Sequence, residues 1–297
     1  MTYSIVAMDR RAGLMGVGVQ SHYFSVGSVV PWTRSGVGVV ATQAMVNVSY
    51  GPKGLDLIAL GLSPMEALEC LIDDDSCPEA RQVALLDAKG DVHAHTGSSC
   101  IPEAGHHIGD GFSCQANMMG KDTVWDAMAD AYEASEGKAL DVRILKALEA
   151  AEAEGGDIRG MQSAAIVICT IERSEEPWQD KIMDLRVEDS DRPLEELGRL
   201  LKTSKAYKLA DEGEDLMGKG DAAGAFELYK KASGICPDNI EIKFWRAVTL
   251  SQAGEDKEAK ALFKSIFIQD PRWGELLIRL CRCGMFDEEK AKGILEN

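Results

Sequence analysis

The residue with the clearest capacity for chemistry is Thr2, which follows Met1 in a chain that opens MTYSIVAMDRRAGLMGVGVQS. A small second residue permits removal of the initiator methionine, and the mature chain would then begin with a threonine that carries a hydroxyl and a free α-amine. An α-amine has a pKa of about 8, so it can take the proton of its own hydroxyl near neutral pH, as in enzymes with an N-terminal threonine nucleophile. The alternative is an ordinary threonine at the start of a strand.

A second candidate group lies in the segment GDGFSCQANMM, where Asn117 stands close to glycines. The side-chain amide of asparagine is a suitable donor to an oxyanion. Asparagine is also common in turns, which is the alternative interpretation of this position.

Composition excludes several classes of function. The chain has 297 residues and a net charge of −17, which argues against binding to nucleic acids or to anionic membranes. The eight cysteines are irregularly spaced, and no leader or membrane-spanning segment is recognisable, so we expect free thiols and a cytoplasmic location. No phosphate loop, dinucleotide fingerprint or convincing metal motif is present, so we expect no metal and no cofactor. A weaker alternative is a metal or redox protein built on the cysteines and histidines.

The first 190 residues predict a layered α+β domain. Strands are expected at 2–8, 14–21 and 36–46, then two helices, a hairpin at 81–97, a glycine-flanked connector, a helical stretch at 121–154 and two further strands. The second helix opens with a capping box, SPME, at Ser63. Strand-rich layers separated by helix pairs indicate two sheets between helical layers.

The segment after the first domain has a different pattern. Residues 191–203 are predicted to be a charged linker, and residues 204–297 to be wholly helical. Small, aromatic and proline positions recur 34 residues apart, which is the period of tetratricopeptide repeats; the matched pairs are Gly220 and Gly254, Ala225 and Ala259, Tyr229 and Phe263, and Pro237 and Pro271. Two repeats are fewer than usual, so we expect this tail to dock on the first domain or on a second subunit of a homo-oligomer.

Many separate motifs of residues 1–190 resemble one known family. TYSIVAMD, GVGVQS, VGVVATQA, YGPKGLDLIALG, GDGFSCQANMM and GGDIRGMQSAAIV follow the order found in the domain of unknown function 1028. That family is grouped with the N-terminal-nucleophile hydrolases. The resemblance implies a four-layer αββα N-terminal-nucleophile hydrolase-like sandwich, to which an all-α tetratricopeptide-like C-terminal domain is added.

The resemblance also implies a set of residues around Thr2. An aspartate and a serine at the helix-to-strand junction of proteasome-like enzymes touch the N-terminal amine, which suggests Asp157 and Ser163. Arg34 lies near the position where such enzymes carry a lysine. The other residues that could line the pocket are Ser21, His22, Gln43, Asn47, Arg159 and Gln162.

These patterns predict an amide hydrolase in which Thr2 attacks a small amide or an acylated amino compound, with Asn117 or strand-edge backbone groups holding the oxyanion. The alternative is a non-catalytic binding protein that keeps the fold and recruits a protein or peptide partner through residues 204–297.

Overall fold

The computed structural model describes residues 2–296, which fall into two compact units, one ending at Gly198 and one beginning at Arg199. The strands of the first unit are β1 (Thr2–Asp9), β2 (Leu14–Ser21), β3 (Pro31–Arg34), β4 (Gly38–Ala44), β5 (Arg81–Asp87), β6 (Val92–Thr96), β7 (Gly105–Gly109), β8 (Phe112–Asn117), β9 (Ser163–Thr170) and β10 (Lys181–Val187). They form two antiparallel sheets, a larger one in the order β10-β9-β2-β1-β8-β7 and a smaller one in the order β3-β4-β5-β6. Strand β1 therefore lies inside the larger sheet and pairs on both sides.

Four helices accompany these sheets: α1 (Tyr50–Ala59), α2 (Pro64–Asp73), α3 (Val124–Ala134) and α4 (Leu140–Glu154). Helices α1 and α2 pack on the smaller sheet, whereas α3 and α4 pack on the larger one. The predicted capping box of α2 is present, because the Ser63 side chain accepts from the Glu66 backbone while Glu66 accepts from Ser63. The first unit is thus a mixed α+β structure with two facing sheets and a helix pair on each.

The alternation of side chains along the strands sorts the core into layers. On β1, Val6 and Met8 pack in one cluster with Val39 and Ala41 of β4, so even-numbered positions of β1 face the smaller sheet. The neighbouring Val40 of β4 belongs instead to the cluster beneath α1 and α2. The space between the sheets and the space under each helix pair are therefore separate apolar layers.

The opposite face of the larger sheet is in close contact with α4. Gly18 lies on this face of β2, and an added methyl group there would overlap the Ile144 side chain and approach Leu148. Glycine at this position therefore lets the helix approach the sheet directly.

Two parts of the first unit differ from the sequence prediction. The short strand β3 was not expected. The segment predicted as a glycine-flanked connector is instead the hairpin of β7 and β8. Strand β8 alternates Phe112 and Cys114 with Ser113 and Gln115, and all four side chains are buried. Its polar face points between the sheets, so the usual pattern of polar residues facing solvent does not apply.

The second unit is helical. Helix α5 (Pro193–Gly218) leads into it, and the remaining helices are α6 (Ala222–Ile235), α7 (Ile240–Gln252), α8 (Asp256–Gln269), α9 (Arg272–Arg282) and α10 (Glu288–Leu295). The four repeated small and aromatic positions are all buried: Ala225, Tyr229, Ala259 and Phe263. Phe263 packs edge-on against Phe244, with ring centroids 5.6 Å apart. Among residues 2–296, no helix combines the length and the apolar character that crossing a bilayer requires.

The segment predicted as a linker, 191–203, is mostly helical because α5 begins at Pro193. Leu194, Leu197 and Leu201 recur at helical spacing and are buried, whereas the intervening charges are solvated. The charge density of this segment concealed an amphipathic helix.

We expect Gly18→Ala to lower the free energy of unfolding by about 1–3 kcal/mol, because the new methyl group must displace Ile144 and hence α4. Urea denaturation measures the change. Gly198→Ala is the matched control, since its methyl group would meet Leu145 at 3.4 Å, an ordinary contact, and alanine favours the helix by about 0.5–1 kcal/mol. Equal effects of the two substitutions would contradict the close packing of α4 on the larger sheet.

Candidate functional site

Thr2 lies at the end of a strand that pairs on both sides, opposite Ser21 of β2 and Asn117 of β8. Its side chain points between the sheets, as do the other even-numbered side chains of β1. The hydroxyl Oγ1 donates a hydrogen bond to Oγ of Ser21 at 3.0 Å. The predicted nucleophile is therefore next to a second hydroxyl, at the mouth of the space between the two sheets.

The carbonyl oxygen of Thr2 is held by two side-chain amides. Nε2 of Gln43 donates to it at 3.2 Å, and Nδ2 of Asn117 donates to it at 3.3 Å. Gln43 belongs to β4 of the smaller sheet and Asn117 to β8 of the larger sheet. The position of Thr2 is thus fixed from both sheets at once.

These two amides belong to an amide network, which we define as Gln43, Gln82, Gln115 and Asn117, each at most 1% exposed. Oε1 of Gln82 accepts from Gln43 at 2.7 Å and from Asn117 at 2.8 Å, and its Nε2 donates to the carbonyl of Ala116 at 2.8 Å. A buried polar group without a partner costs about 1–3 kcal/mol, so the network is stable because its members satisfy one another.

The network continues toward the centre of the sheets through Ser4. Its hydroxyl donates to Oε1 of Gln43 at 2.6 Å and accepts from Nε2 of Gln115 at 2.6 Å. Sequence reasoning missed Gln82 and Ser4. A signal existed, since Gln82 directly precedes the apolar run VALL in its strand, where a buried glutamine needs internal partners.

Asn117 has a different role from the one expected. Its amide donates to the Thr2 carbonyl and to Oε1 of Gln82, which uses both of its hydrogens. Asn117 therefore positions Thr2, and its role as an oxyanion donor, which requires one of these two hydrogen bonds to break, stays a prediction.

The polar segment 157–163 reaches the same end of the sheet as Thr2. The side chain of Asp157 is fully buried and accepts from Nε of Arg159 at 3.0 Å and from Nη2 at 2.7 Å. Its Oδ2 also accepts from the backbone N–H of His22 at 3.3 Å, directly after β2. The backbone N–H of Gln162 donates to the Ser21 carbonyl at 3.2 Å. The structure thus brings together the ends of β2 and β9, which the sequence separates widely.

Ser163 fixes the loop after β2. Its hydroxyl donates to the Tyr23 carbonyl at 2.5 Å and accepts from the backbone N–H of Val26 at 3.0 Å. The side chain of Gln162 donates to Asp189 at 3.0 Å, at the edge of the unit. Nδ1 of His22 is buried and has no hydrogen-bond partner within residues 2–296. In the described part of the chain, the side chains of Ser163 and Gln162 are therefore engaged in hydrogen bonds, whereas the buried Nδ1 of His22 is not.

The structure does not bring Arg34 to Thr2. Arg34 pairs with Gly38, at the end of β4 opposite to Gln43, and five strand residues span about 17 Å. Its guanidinium forms an exposed ion pair with Asp56 at 2.8 Å. Arg34 therefore lies away from Thr2, and its assignment to the substrate pocket, which the resemblance made by sequence distance alone, has no support in this geometry.

Asn47 supports a separate cluster. Its Nδ2 donates to Asp75 at 3.0 Å and its Oδ1 accepts from the Ser49 hydroxyl at 2.8 Å. Hydrogen bonds from Arg81 hold the pKa of Asp75 well below its usual range, so this carboxylate stays ionised. Asn47 therefore anchors the loop between β4 and α1, and its predicted role in lining the pocket has no hydrogen bond to support it.

Other nucleophiles and bases in this unit are less suitable than Thr2. Burial raises the pKa of the Cys114 thiol well above its usual value and also raises the pKa of Cys100, so both thiols stay protonated. Burial and the nearby Glu152 carboxylate raise the pKa of Tyr3, which donates to Glu152 at 2.9 Å. Within residues 2–296, no three His, Cys, Asp or Glu side chains gather as a metal site requires.

We expect Gln82→Met to lower the free energy of unfolding by about 3 kcal/mol, because the apolar side chain leaves the amides of Gln43 and Asn117 without their shared acceptor. Urea denaturation measures this change. Gln179→Met, in an exposed loop, makes the same substitution and should alter stability by less than about 0.5 kcal/mol. A cost below about 1 kcal/mol for Gln82→Met contradicts the role of the amide network.

Comparison with known proteins supports two parts of this description. No curated protein matches the sequence. The chain is similar to a crystal structure of a protein from Silicibacter pomeroyi that is described by the DUF1028 family model, with a TM-score of 0.62 and 28% sequence identity. The match covers 69% of this chain and 89% of that one.

Two family models match the chain. A tetratricopeptide repeat model matches residues 216–282, which confirms the prediction from the 34-residue period. The other model describes the family of unknown function DUF1028 and matches residues 2–197, which include Thr2 and the whole amide network. The chain belongs to this family, DUF1028.

Proposed function

We propose that this protein is an amide hydrolase of the N-terminal-nucleophile type, with Thr2 as nucleophile and a small amide or acylated amino compound as substrate. In this proposal, two facing sheets with a helix pair on each are the αββα sandwich of such hydrolases. Residues 1–190 are the catalytic domain and residues 204–297 a helical repeat domain. The eight cysteines are free thiols, which supports a reducing, cytoplasmic location.

The observation that carries the proposal is the placement of Thr2. Its hydroxyl lies between the sheets at the end of β1, 3.0 Å from Ser21 Oγ, while Gln43 and Asn117 immobilise its carbonyl. A nucleophile must be held in position if attack is to be fast. Because Gln43 and Asn117 come from different sheets, the backbone that carries the Thr2 hydroxyl is held from both sides.

The reaction begins after Met1 is removed. Oγ1 of Thr2 attacks the amide carbonyl carbon while the α-amine takes the hydroxyl proton. The tetrahedral intermediate collapses when the amine returns this proton to the departing nitrogen, so the C–N bond breaks and an ester on Thr2 remains. Water then attacks the ester with the amine again as base, and the C–Oγ1 bond breaks to release a carboxylic acid and restore Thr2.

Neighbouring residues act mainly by positioning in this proposal. The buried Asp157, paired with Arg159, binds the backbone after Ser21 and also orients the α-amine. Ser163 holds the adjoining loop through Tyr23. Because Asn117 is committed, the oxyanion donors are backbone N–H groups at the strand edge.

A second function is favoured by the helical unit. The match to tetratricopeptide repeats supports an interaction with a protein partner through residues 204–297. This function is compatible with catalysis in the first unit, and it would be the sole function if Thr2 proves inert.

We expect Thr2→Ala to reduce amide hydrolysis below about 1% of wild type, because the loss of the attacking group costs several kcal/mol of barrier. Thr2→Ser should retain measurable activity, since serine keeps both the hydroxyl and the α-amine. The measurement is the initial rate on a panel of small amides, with intact mass confirming that Met1 is absent from every sample. Activity of Thr2→Ala above about 1% moves the nucleophile to another residue.

A further inference from the structure

The largest exposed hydrophobic side chains near Thr2 come from separate loops. Five of them are between 43% and 66% exposed, and we name them the apolar rim: Tyr23, Phe24, Met45, Ile101 and Ile158. Exposed apolar side chains that gather in one region of a surface mark interaction sites or ligand-binding grooves.

Two loops of the apolar rim follow strands that contact Thr2 directly. Strand β2 ends at Ser21, opposite Thr2, and Tyr23 and Phe24 come immediately after it. Strand β4 contributes Gln43, which donates to the Thr2 carbonyl, and Met45 follows two residues later. Both loops therefore begin within two or three residues of a group that touches Thr2.

The other two loops are joined by backbone hydrogen bonds beside Asn117. The N–H of Met118 donates to the Ile101 carbonyl at 3.3 Å, and the N–H of Ile158 donates to the Met118 carbonyl at 3.4 Å. Since Asn117 pairs with Thr2, Ile101 and Ile158 lie at the same end of the sheets. The apolar rim thus lies at the Thr2 end of both sheets.

Charge is absent from the segments that supply most of this rim. Residues 22–33 and 35–52 contain no Asp, Glu, Lys or Arg, although residues 1–198 hold 32 acidic and 15 basic residues. The opposite end of the larger sheet carries an exposed ion pair between Arg10 and Asp110 at 3.0 Å. At the Thr2 end, the charge of Arg159 beside Ile158 is paired with Asp157 at 2.7 Å. The loops after β2 and β4 are therefore suited to an uncharged, apolar group.

The area of the rim favours a small occupant. Five side chains of about 200 Å² at these exposures present roughly 500 Å² of surface, whereas a stable protein interface buries about 800 Å² on each partner. Its side chains also come from four loops that all lie at the Thr2 end of the sheets. These features fit part of a substrate better than a second copy of the chain.

We propose that the apolar rim binds the acyl group of the substrate, and that the substrate class is an N-acyl compound with an apolar acyl chain longer than acetyl. This inference rests on the proposed function for the reacting role of Thr2. It adds that the loops after β2 and β4 select the acyl portion.

Binding is measured separately from turnover to test this. The probes are N-acetylglycinamide and N-octanoylglycinamide, which are neutral and so avoid repulsion by the acidic unit. The protein is the full chain carrying Thr2→Ala, shown by intact mass to lack Met1, and calorimetry gives the two dissociation constants. Each buried methylene is worth about 0.8 kcal/mol, so the octanoyl probe should bind at least tenfold more tightly.

The rim is tested with the double variant Phe24→Ser/Met45→Ser in the same background. It should weaken binding of the octanoyl probe at least fivefold and leave binding of the acetyl probe unchanged. The matched control is Leu60→Ser/Met65→Ser, which removes two exposed apolar side chains, one directly after α1 and one in the first turn of α2. Helix α1 runs away from Gln43, because its Asp56 pairs with Arg34. The control variant should bind both probes as the Thr2→Ala background does.

Three outcomes overturn the inference: equal affinity for the two probes, no measurable binding of the octanoyl probe, or the same loss in the control variant. A change from dimer to monomer in the rim variant by sedimentation, without a change in acyl preference, would assign the rim to contact between copies of the chain. If acyl selection is found but wild-type protein hydrolyses neither amide, the proposed function fails while the binding inference stands.

Discussion

The first unit depends on one shared acceptor, the side-chain oxygen of Gln82. It receives hydrogen bonds from Gln43 and Asn117, and each of these amides also donates to the carbonyl of Thr2. The arrangement joins β4 and β5 of one sheet to β1 and β8 of the other. A slip of one residue in any of these strands would turn a buried amide toward a helix layer, so the network also specifies register.

The network gives the two ends of the sheets different characters. At one end are Thr2, the polar amides behind it and the apolar rim around it. At the other end, Arg10 and Asp110 form an exposed ion pair beside tight turns. The apolar layers between these ends need no specific partners, whereas the Thr2 end is held by hydrogen bonds of fixed geometry. Rigid support of this kind is what a reacting group requires.

Charge is distributed unequally along the chain. Residues 199–297 hold 17 acidic and 17 basic residues, so the net charge of −17 arises wholly in residues 1–198. A negative potential around the first unit disfavours anionic ligands and admits neutral or cationic ones. The uncharged loops beside Thr2 then act at short range, where apolar contact rather than charge selects the bound group. The helical unit has no net charge, and its fold depends on buried repeat positions such as Ala259 and Phe263.

The sequence by itself determined most elements and one candidate group. Local patterns were sufficient for the capping box at Ser63, for the buried repeat positions Ala225 and Tyr229, and for Thr2 as the residue to test, because each depends on neighbours within a few turns of chain or on a regular period. Local patterns failed for β8, whose polar face is buried.

Only the tertiary structure decided which side chains meet Thr2. The bond from Asn117 to the Thr2 carbonyl spans 115 positions of sequence, and the bond from Asp157 to the backbone of His22 spans 135. The tertiary structure also places Arg34 at the end of its strand away from Thr2. It places Gln82, which no motif had marked, in the amide network that holds Thr2. Strand order and register set these meetings, and both follow from the packing of whole layers, which no local segment of the sequence encodes.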